Sequence, residues 1–178
     1  MKVKTRLLSI LSPLPFLVQA QVSDTSANPI IVKRSLRLLT GLSFGKHSFA
    51  DIGISKNSVS RVGYHPFSSA YFASTELKLG GKFILGSKIG AWMAGGVGGM
   101  AMGANLIYYT DFNKGNLVFR PEIGFGFEAF KLVYGYNAII GKRTLEEINW
   151  NQGSVIYCFK MRQLKDKIKN SQHLRSSE

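Results

Sequence analysis

His47 and Ser48 are adjacent residues of the two types that cooperate in ester hydrolysis. In that chemistry a histidine takes the serine proton while a carboxylate orients the imidazole. Asp51 or Glu76 could provide the carboxylate, so a hydrolase is one hypothesis for this chain. The simpler interpretation, a histidine in a hairpin turn, is favoured, because the flanking residues alternate as strands do.

Three glycine-containing motifs match known patterns loosely. Residues 41–45 read G-L-S-F-G and fit the nucleophile elbow, which needs a helix directly after the serine. Residues 46–55 alternate like a strand instead. Residues 96–101 and 124–129 fit the dinucleotide pattern G-x-G-x-x-A, but both lie in alternating sequence that predicts no helix. All three matches are therefore discounted.

Metal-binding residue types are few and dispersed. The histidines are His47, His65 and His173, and Cys158 is the single cysteine. This spacing matches no metal-ligand motif, and one cysteine excludes an intrachain disulfide. We predict no catalytic, cofactor-binding or metal-binding residues and no cofactor, so the chain is not expected to be an enzyme.

The segment from Leu117 to Phe127 has the clearest strand pattern. Its odd positions are apolar, mostly bulky, and its even positions are Val118, Arg120, Glu122 and two glycines. Eleven residues at about 3.3 Å each, tilted by about 40°, cover about 28 Å, close to the roughly 25 Å apolar band of an outer-membrane barrel. The pattern therefore raises a membrane hypothesis that needs no hydrophobic helix.

Seven other segments alternate in the same way. Together they predict an all-β fold, an eight-stranded antiparallel up-and-down transmembrane barrel over residues 34–160. Connections include residues 56–66 at one end and turns near Gly45, Gly80, Asn113 and Glu146 at the other. The expected strands are 36–44, 50–55, 71–79, 85–93, 100–108, 117–127, 130–140 and 153–159.

The polar face indicates which side of the sheet is enclosed. It is rich in glycine, which weakens a strand without benefit when it only faces water but leaves room for long neighbours inside a narrow barrel. We expect the lumen to hold paired charges and no wide pore, since an isolated buried charge costs several kcal/mol or more. A soluble barrel with its apolar side turned inward is the alternative. The expected interior charges are Arg37, Asp51, Glu76, Lys78, Lys88, Arg120, Glu122, Glu128 and Lys131.

Aromatic residues cluster near several predicted strand ends. Such residues form girdles at the two interfaces of a membrane barrel, although a packed core would use the same residue types. The expected girdle residues are Tyr108, Tyr109, Phe112, Phe127, Phe130, Tyr157 and Phe159.

The first twenty residues, here called the leader, suggest an exported protein. Residues 1–20 combine three basic residues, an apolar run and Val18-Gln19-Ala20, as in a cleaved secretory signal peptide. Residues 21–33 are expected to be a flexible N-terminal segment and residues 161–178 a basic tail. The net charge is +13, and six basic residues lie from Lys160 onward. They suggest attraction to anionic envelope polymers or lipid head groups, but a solvated, frayed tail is the favoured interpretation. Nucleic acid is not expected, because an exported chain rarely meets it.

The sequence resembles the small eight-stranded outer-membrane barrels, the OmpX-like and OmpA-membrane-domain-like group. The resemblance rests on the leader, residues 88–112, residues 120–136 and the last strand with Tyr157 and Phe159. It implies location in the outer membrane of a Gram-negative bacterium, contact with outer-membrane lipid, and insertion by the barrel-assembly machinery. The implied function is a structural or interaction role in the cell envelope. An outer-membrane lipid-modifying hydrolase and a soluble periplasmic barrel carrying an apolar ligand remain alternatives.

Overall fold

The computed structural model describes residues 30–62, 65–95 and 99–169, and these residues form nine β-strands and no helix. β7 and β8 are two parts of one strand interrupted at Asn137. The barrel therefore has eight strand positions, as the sequence predicted. The strands are β1 (Ile30–Phe44), β2 (Phe49–Val62), β3 (His65–Lys78), β4 (Leu85–Gly95), β5 (Met100–Thr110), β6 (Gly115–Gly126), β7 (Phe130–Tyr136), β8 (Ala138–Ile140) and β9 (Asn151–Lys169).

Antiparallel pairing closes the sheet into a barrel. Neighbours along the chain pair with one another, and β9 returns to pair with β1. The stagger of the strands is found by following cross-strand partners once around the barrel. Starting at Arg34, this path passes Met102 and Gly153 and returns to β1 at Phe44, ten residues further along that strand. With eight strands, this stagger is consistent with a strand tilt of roughly 40° and a lumen that side chains can fill.

Alternation along each strand separates the two faces as expected. In β6, Val118 and Arg120 are buried, while Phe119, Ile123 and Phe125 are exposed. The reason is geometric, because successive side chains of a strand point to opposite faces of the sheet. Polar and small residues therefore line much of the lumen, and most bulky apolar residues cover the outside.

The strands at one end are longer than the sequence suggested. Residues 56–66, expected to be a connection, belong largely to β2 and β3, which pair from Phe49↔Lys78 to Val62↔His65. The last strand does not end at Phe159 but continues to Lys169, which pairs with Ile30 of β1. Polar residue types at both odd and even positions of these extensions remove the alternation signal, and only the pairing of the backbones identifies them as strands.

Some sequence-based predictions fall on residues that the structure does not describe. They are the leader over residues 1–20, most of the N-terminal segment over residues 21–33, and the last part of the basic tail over residues 170–178. These assignments remain predictions. No helix that could cross a membrane occurs in the described residues.

Two inward-facing glycines show how the narrow lumen accommodates large side chains. A Cβ atom on Gly86 would lie 2.6 Å from the ring of Tyr109, and one on Gly135 would lie 3.0 Å from Cδ of Arg120. Real Cβ atoms essentially never approach another heavy atom to less than 3.0 Å, and a separation of 3.0–3.4 Å is tighter than nine in ten real Cβ contacts. The glycines therefore provide the space that these two buried side chains occupy.

Candidate functional site

The centre of the lumen holds a cluster of ionised side chains around Glu76 of β3. The Glu76 carboxylate accepts hydrogen bonds from Arg120 Nη1 at 2.6 Å, from Arg120 Nη2 at 3.1 Å and from Lys88 Nζ at 2.8 Å. All three side chains are at most 1 % exposed. Lys88 also pairs with Asp51, so two cations and two carboxylates balance one another across four strands.

Register explains why a lysine lies between two carboxylates. Asp51 of β2 is the direct cross-strand partner of Glu76, and like charges in that arrangement repel. Lys88 on β4 contacts both carboxylates and offsets this repulsion. The cluster is thus a consequence of the pairing of three consecutive strands, with Arg120 approaching from β6.

Tyr109 is a member of this cluster that the sequence reasoning placed elsewhere. It was expected in an outer aromatic girdle, but it is fully buried, donates a hydrogen bond to Glu76 and accepts one from Arg120. The girdle assignment of Tyr109 is therefore wrong. The alternation along β5 could have indicated its inward position, because Tyr109 directly follows the outward-facing Tyr108 and therefore lies on the opposite face.

Asn137 is a second polar residue of the lumen that the sequence did not single out. It accepts a hydrogen bond from Arg120 Nε at 2.6 Å and donates one to the Asn149 carbonyl at 2.7 Å. The interruption between β7 and β8 lies at this residue. Asn137 thus connects the ionic cluster to residues 141–150, which cover one end of the barrel, called here the barrel mouth.

A second ion pair lies further from that mouth, beside aromatic rings. Lys131 Nζ is 3.4 Å from a carboxylate oxygen of Glu122, and both side chains are at most 3 % exposed. The same ammonium lies 5.2 Å from the centroid of the Trp92 ring and 5.7 Å from that of Phe72. Ring faces attract cations electrostatically. Lys131 is therefore held by one carboxylate and two aromatic side chains.

Two of the nine charges expected inside the lumen lie at its ends. Glu128 follows β6, and its side chain is 54 % exposed while it pairs with the buried Arg37. Lys78 lies at the end of β3, where its Nζ donates to the carbonyls of Gly80 at 3.1 Å and Lys82 at 3.4 Å. Alternation indicates the face of the sheet on which a residue lies, but it carries no information about position along the barrel axis.

Residues 141–150, here called the lid, close one end of the barrel. Leu145 and Ile148 are at most 2 % exposed and belong to an apolar cluster with residues of the barrel wall such as Ile107 and Val118. The sequence predicted only a turn near Glu146 here. The segment behaves as a lid because two apolar side chains, three positions apart, turn into the mouth of the barrel.

Hydrogen bonds fix the lid to the barrel at two places. Asn116 Oδ1 accepts from the backbone N–H groups of Thr144 and Leu145, each at 2.9 Å. Asn149 Oδ1 accepts from the His47 N–H at 2.8 Å, and its Nδ2 donates to the His47 carbonyl at 2.7 Å. The lid therefore bridges the β1–β2 turn and the start of β6.

Charged loop residues lie beside the lid. Lys82 Nζ is 2.6 Å from Asp111 Oδ2 and 3.9 Å from Glu147 Oε1. The hydrogen bond from Lys82, with two further bonds from the Lys114 and Asn113 N–H groups, lowers the pKa of Asp111 to about 2. Asp111 is therefore ionised throughout the neutral and mildly acidic range.

The residues of the hydrolase hypothesis are not assembled as a catalytic triad. His47 lies in the β1–β2 turn, and in the described part of the chain its hydrogen bonds run through its backbone to the lid, not through its imidazole to Ser48, Asp51 or Glu76. Partial burial, followed by the positive charges of two neighbouring lysines, lowers the pKa of His47. Both carboxylates belong to the lumen cluster, so neither orients the imidazole.

The outer surface of the barrel is the other candidate functional feature. Its outward-facing apolar side chains are here called the apolar belt. This belt runs around all eight strand positions and includes aromatic residues near both ends. The larger members are Leu42, Phe44, Ile52, Ile54, Tyr71, Leu77, Ile89, Met93, Met100, Met102, Leu106, Tyr108, Phe119, Ile123, Phe125, Phe130, Leu132, Tyr134, Tyr136, Val155, Tyr157 and Phe159.

Neither a metal site nor a known relative provides a further guide. Within residues 30–62, 65–95 and 99–169, no three His, Cys, Asp or Glu side chains are grouped as a metal site requires. No protein-family model, curated protein or solved structure matches the chain.

Proposed function

We propose that this protein is an outer-membrane β-barrel of a Gram-negative bacterium, with a structural or interaction role in the cell envelope and no wide pore. The observation that carries the proposal is the apolar belt on the outer surface. Monomeric soluble proteins rarely expose contiguous apolar patches of more than a few hundred Å². A belt that encircles the barrel is far better matched to hydrocarbon than to water.

The central part of the belt is free of ionised side chains. Over residues 100–108 of β5 and 117–125 of β6, every outward-facing residue is uncharged. Lys56 of β2, which does not neighbour β5 or β6, is an outward-facing cation, and it pairs with Tyr71 at the belt's edge. A lysine at such a boundary can extend its ammonium group towards the membrane interface.

The height of the belt supports the same proposal. β5 and β6 have 11 and 12 residues, and at about 3.3 Å per residue and a tilt of about 40° they rise about 28–30 Å. The apolar band of outer-membrane barrels is about 25 Å tall, with aromatic residues at both interfaces. Tyr108 and Tyr136 at one end, and Phe130 and Phe159 at the other, suit such interfaces.

The lumen argues against both a wide channel and an apolar cargo. The pairs Glu76–Arg120 and Glu122–Lys131 lie in the interior with almost no exposure, and the lid buries Leu145 at one mouth. An apolar ligand inside would face ionised groups that it cannot hydrogen-bond, at a large desolvation cost. The interior therefore does not support the alternative of a soluble lipid-carrying barrel.

The remaining parts of the proposal rest on the sequence. We expect residues 1–20 to direct export and then to be cleaved. We also expect insertion by the barrel-assembly machinery and contact with outer-membrane lipid. The basic residues that follow Phe159 would attract anionic envelope polymers. With an even number of strands and both chain ends in the periplasm, the lid would face the cell exterior.

Cell fractionation tests the location. On a sucrose gradient the protein should sediment with outer membranes, and the unheated protein should migrate differently from the heated one on a detergent gel. Recovery in the periplasmic extract would refute the proposal. Cleavage on intact cells by a protease site inserted after Glu146 would support the stated orientation, whereas cleavage only after lysis would invert it.

A further inference from the structure

Three cations lie close together on the outer face of the sheet, at the end opposite the lid. They are Arg34 of β1, Lys56 of β2 and Arg162 of β9, here called the cationic patch. Leu36 of β1 is the direct cross-strand partner of Lys56 on one side and of Arg162 on the other. Arg34 lies two residues before Leu36 and therefore shares its face. The register of three adjacent strands thus brings the three cations together.

This face is the outer one, and the patch begins where the apolar belt ends. Arg37, which follows Leu36 in the chain, is buried on the lumen side. The next outward row towards the lid is apolar, since Leu38 pairs with Ile54 and Phe159. Two residues at about 3.3 Å each, tilted by about 40°, separate that row from Leu36 by about 5 Å. In a membrane-embedded barrel the patch therefore lies at the height of the head groups, which occupy about 5–8 Å on each side of the hydrocarbon.

The charge of the patch is not neutralised by the described chain. None of its three side chains forms an ion pair with a described carboxylate, whereas each buried cation of the described lumen does. Glu128, a carboxylate at the same end of the barrel, pairs with Arg37 on the lumen side. The Nε atom of Arg34 is shielded from solvent and donates to no described group. The patch thus combines a concentration of positive charge with hydrogen-bond donors that are left for an anionic ligand.

We propose that the cationic patch binds the phosphate of an anionic phospholipid in the membrane leaflet opposite the lid, with the acyl chains of that lipid lying against the belt. This inference rests on the proposed function, since the patch meets head groups only if the barrel spans a membrane. Arginine donates paired hydrogen bonds to phosphate oxygens, and lysine adds a point charge. The apolar row at Leu38 directly adjoins the patch, so a ligand that carries both a phosphate and hydrocarbon fits this surface better than a soluble anion does.

The first test compares the lipids that the full chain retains. The protein is placed in bilayer nanodiscs that contain equal amounts of phosphatidylglycerol and phosphatidylcholine with identical acyl chains, and native mass spectrometry counts the lipids that stay bound. We expect retained phosphatidylglycerol to exceed phosphatidylcholine. Arg162→Gln should lower this preference by about fivefold, and the same change at all three patch residues should lower it by about tenfold or more.

Lys33→Gln is the matched control. Lys33 is exposed, directly precedes Arg34 and pairs with Val59 on the other face of the sheet. The change removes the same charge from the same end of β1, so it should leave the lipid preference as it is. An equal loss in Lys33→Gln and Arg162→Gln would show that only the overall charge of this end attracts lipid, and it would refute the site.

A second test locates the lipid on the unaltered protein and so does not depend on the folding of any variant. Phosphatidylglycerol with a photoreactive diazirine in its head group is cross-linked in the same nanodiscs, and mass spectrometry identifies the labelled peptides. We expect labels on residues 34–36 and 160–164 in preference to the lid end. Inorganic phosphate at millimolar concentration and constant ionic strength should not reduce this labelling. Labels mainly at the lid end, or their loss in phosphate, would overturn the assignment to a lipid.

The outcomes separate this inference from the proposed function. Each variant is first checked for the heat-dependent gel shift of a folded barrel. If the unaltered protein inserts into bilayers but retains both lipids equally, the lipid site is refuted and the membrane proposal stands. If the unaltered protein does not insert at all, both are refuted.

Discussion

Arg120 of β6 donates two hydrogen bonds to the carboxylate of Glu76 of β3, across the lumen. Both side chains are completely buried. Lys88 and Tyr109 contact the same carboxylate, so Glu76 is the point at which four strands are joined. Its removal is the sharpest test of the interior.

Glu76→Gln should destabilise the barrel by about 3–5 kcal/mol, because it leaves Arg120 and Lys88 buried with one carboxylate fewer. Arg120→Met in the same chain removes one unpaired cation and leaves the Asp51–Lys88 pair balanced. We expect the double variant to recover at least about 1 kcal/mol relative to the sum of the single changes. Urea unfolding in lipid vesicles measures all four proteins, and strict additivity would show that the two residues are not coupled.

Ile123→Arg distinguishes a membrane belt from a soluble surface. Ile123 is 55 % exposed in the middle of the belt, where an arginine costs about 2–4 kcal/mol if hydrocarbon surrounds it. On a water-facing surface the same change is worth about 0.5 kcal/mol or less. Met161→Arg, at an exposed position beyond the belt, is the matched control and should be nearly neutral. Equal unfolding free energies for the two variants in vesicles would argue against a membrane-embedded belt.

Gly86→Ala should displace the Tyr109 ring, because the new Cβ would lie 2.6 Å from it. Overpacking of this kind costs about 1–3 kcal/mol. Gly153→Ala is the control, since nothing lies within 4 Å of its added Cβ. The measurement is the unfolding free energy of each variant, and a Gly86→Ala protein as stable as Gly153→Ala would show that the lumen is less tightly packed than described.

The Lys82–Asp111 contact should survive to strongly acidic pH. The pKa of Asp111 is lowered from 3.8 to about 2. The contact's stabilisation is therefore complete above about pH 4 and is lost as the pH falls through about 2. NMR titration of the Asp111 carboxyl group should show this value. Lys82→Gln should raise it, whereas Lys114→Gln should not, because Lys114 contributes through its backbone N–H.

Leu145→Ala should loosen the lid without unfolding the barrel. Leu145 is fully buried in the barrel mouth, and loss of such a side chain costs about 2 kcal/mol or more. Amide hydrogen exchange over residues 141–149 should accelerate by about tenfold or more while exchange in β5 and β6 stays slow. Glu146→Ala, at an exposed position of the same loop, is the control. Unchanged exchange in Leu145→Ala would show that this side chain does not hold the lid closed.

Several features of the lumen were not predictable from the sequence. Parity identified Asp51, Glu76, Lys88 and Arg120 as inward-facing, but which of them meet depends on the register of four strands. The lid was missed because its buried residues, such as Leu145, are isolated apolar residues in a charged segment, without a periodic pattern. Their burial requires the barrel mouth, which is formed by residues distant in the chain.

The alternating sequence by itself determined which side chains share a face, because the period of two is a local property of the extended backbone. It also determined that the strands number eight. Only the tertiary structure decided that the sheet closes with a stagger of ten residues, and hence that Arg120 faces Glu76. Closure joins residues such as Ser43 and Ser154, which are 111 positions apart in the chain, and no local pattern encodes a contact of that kind.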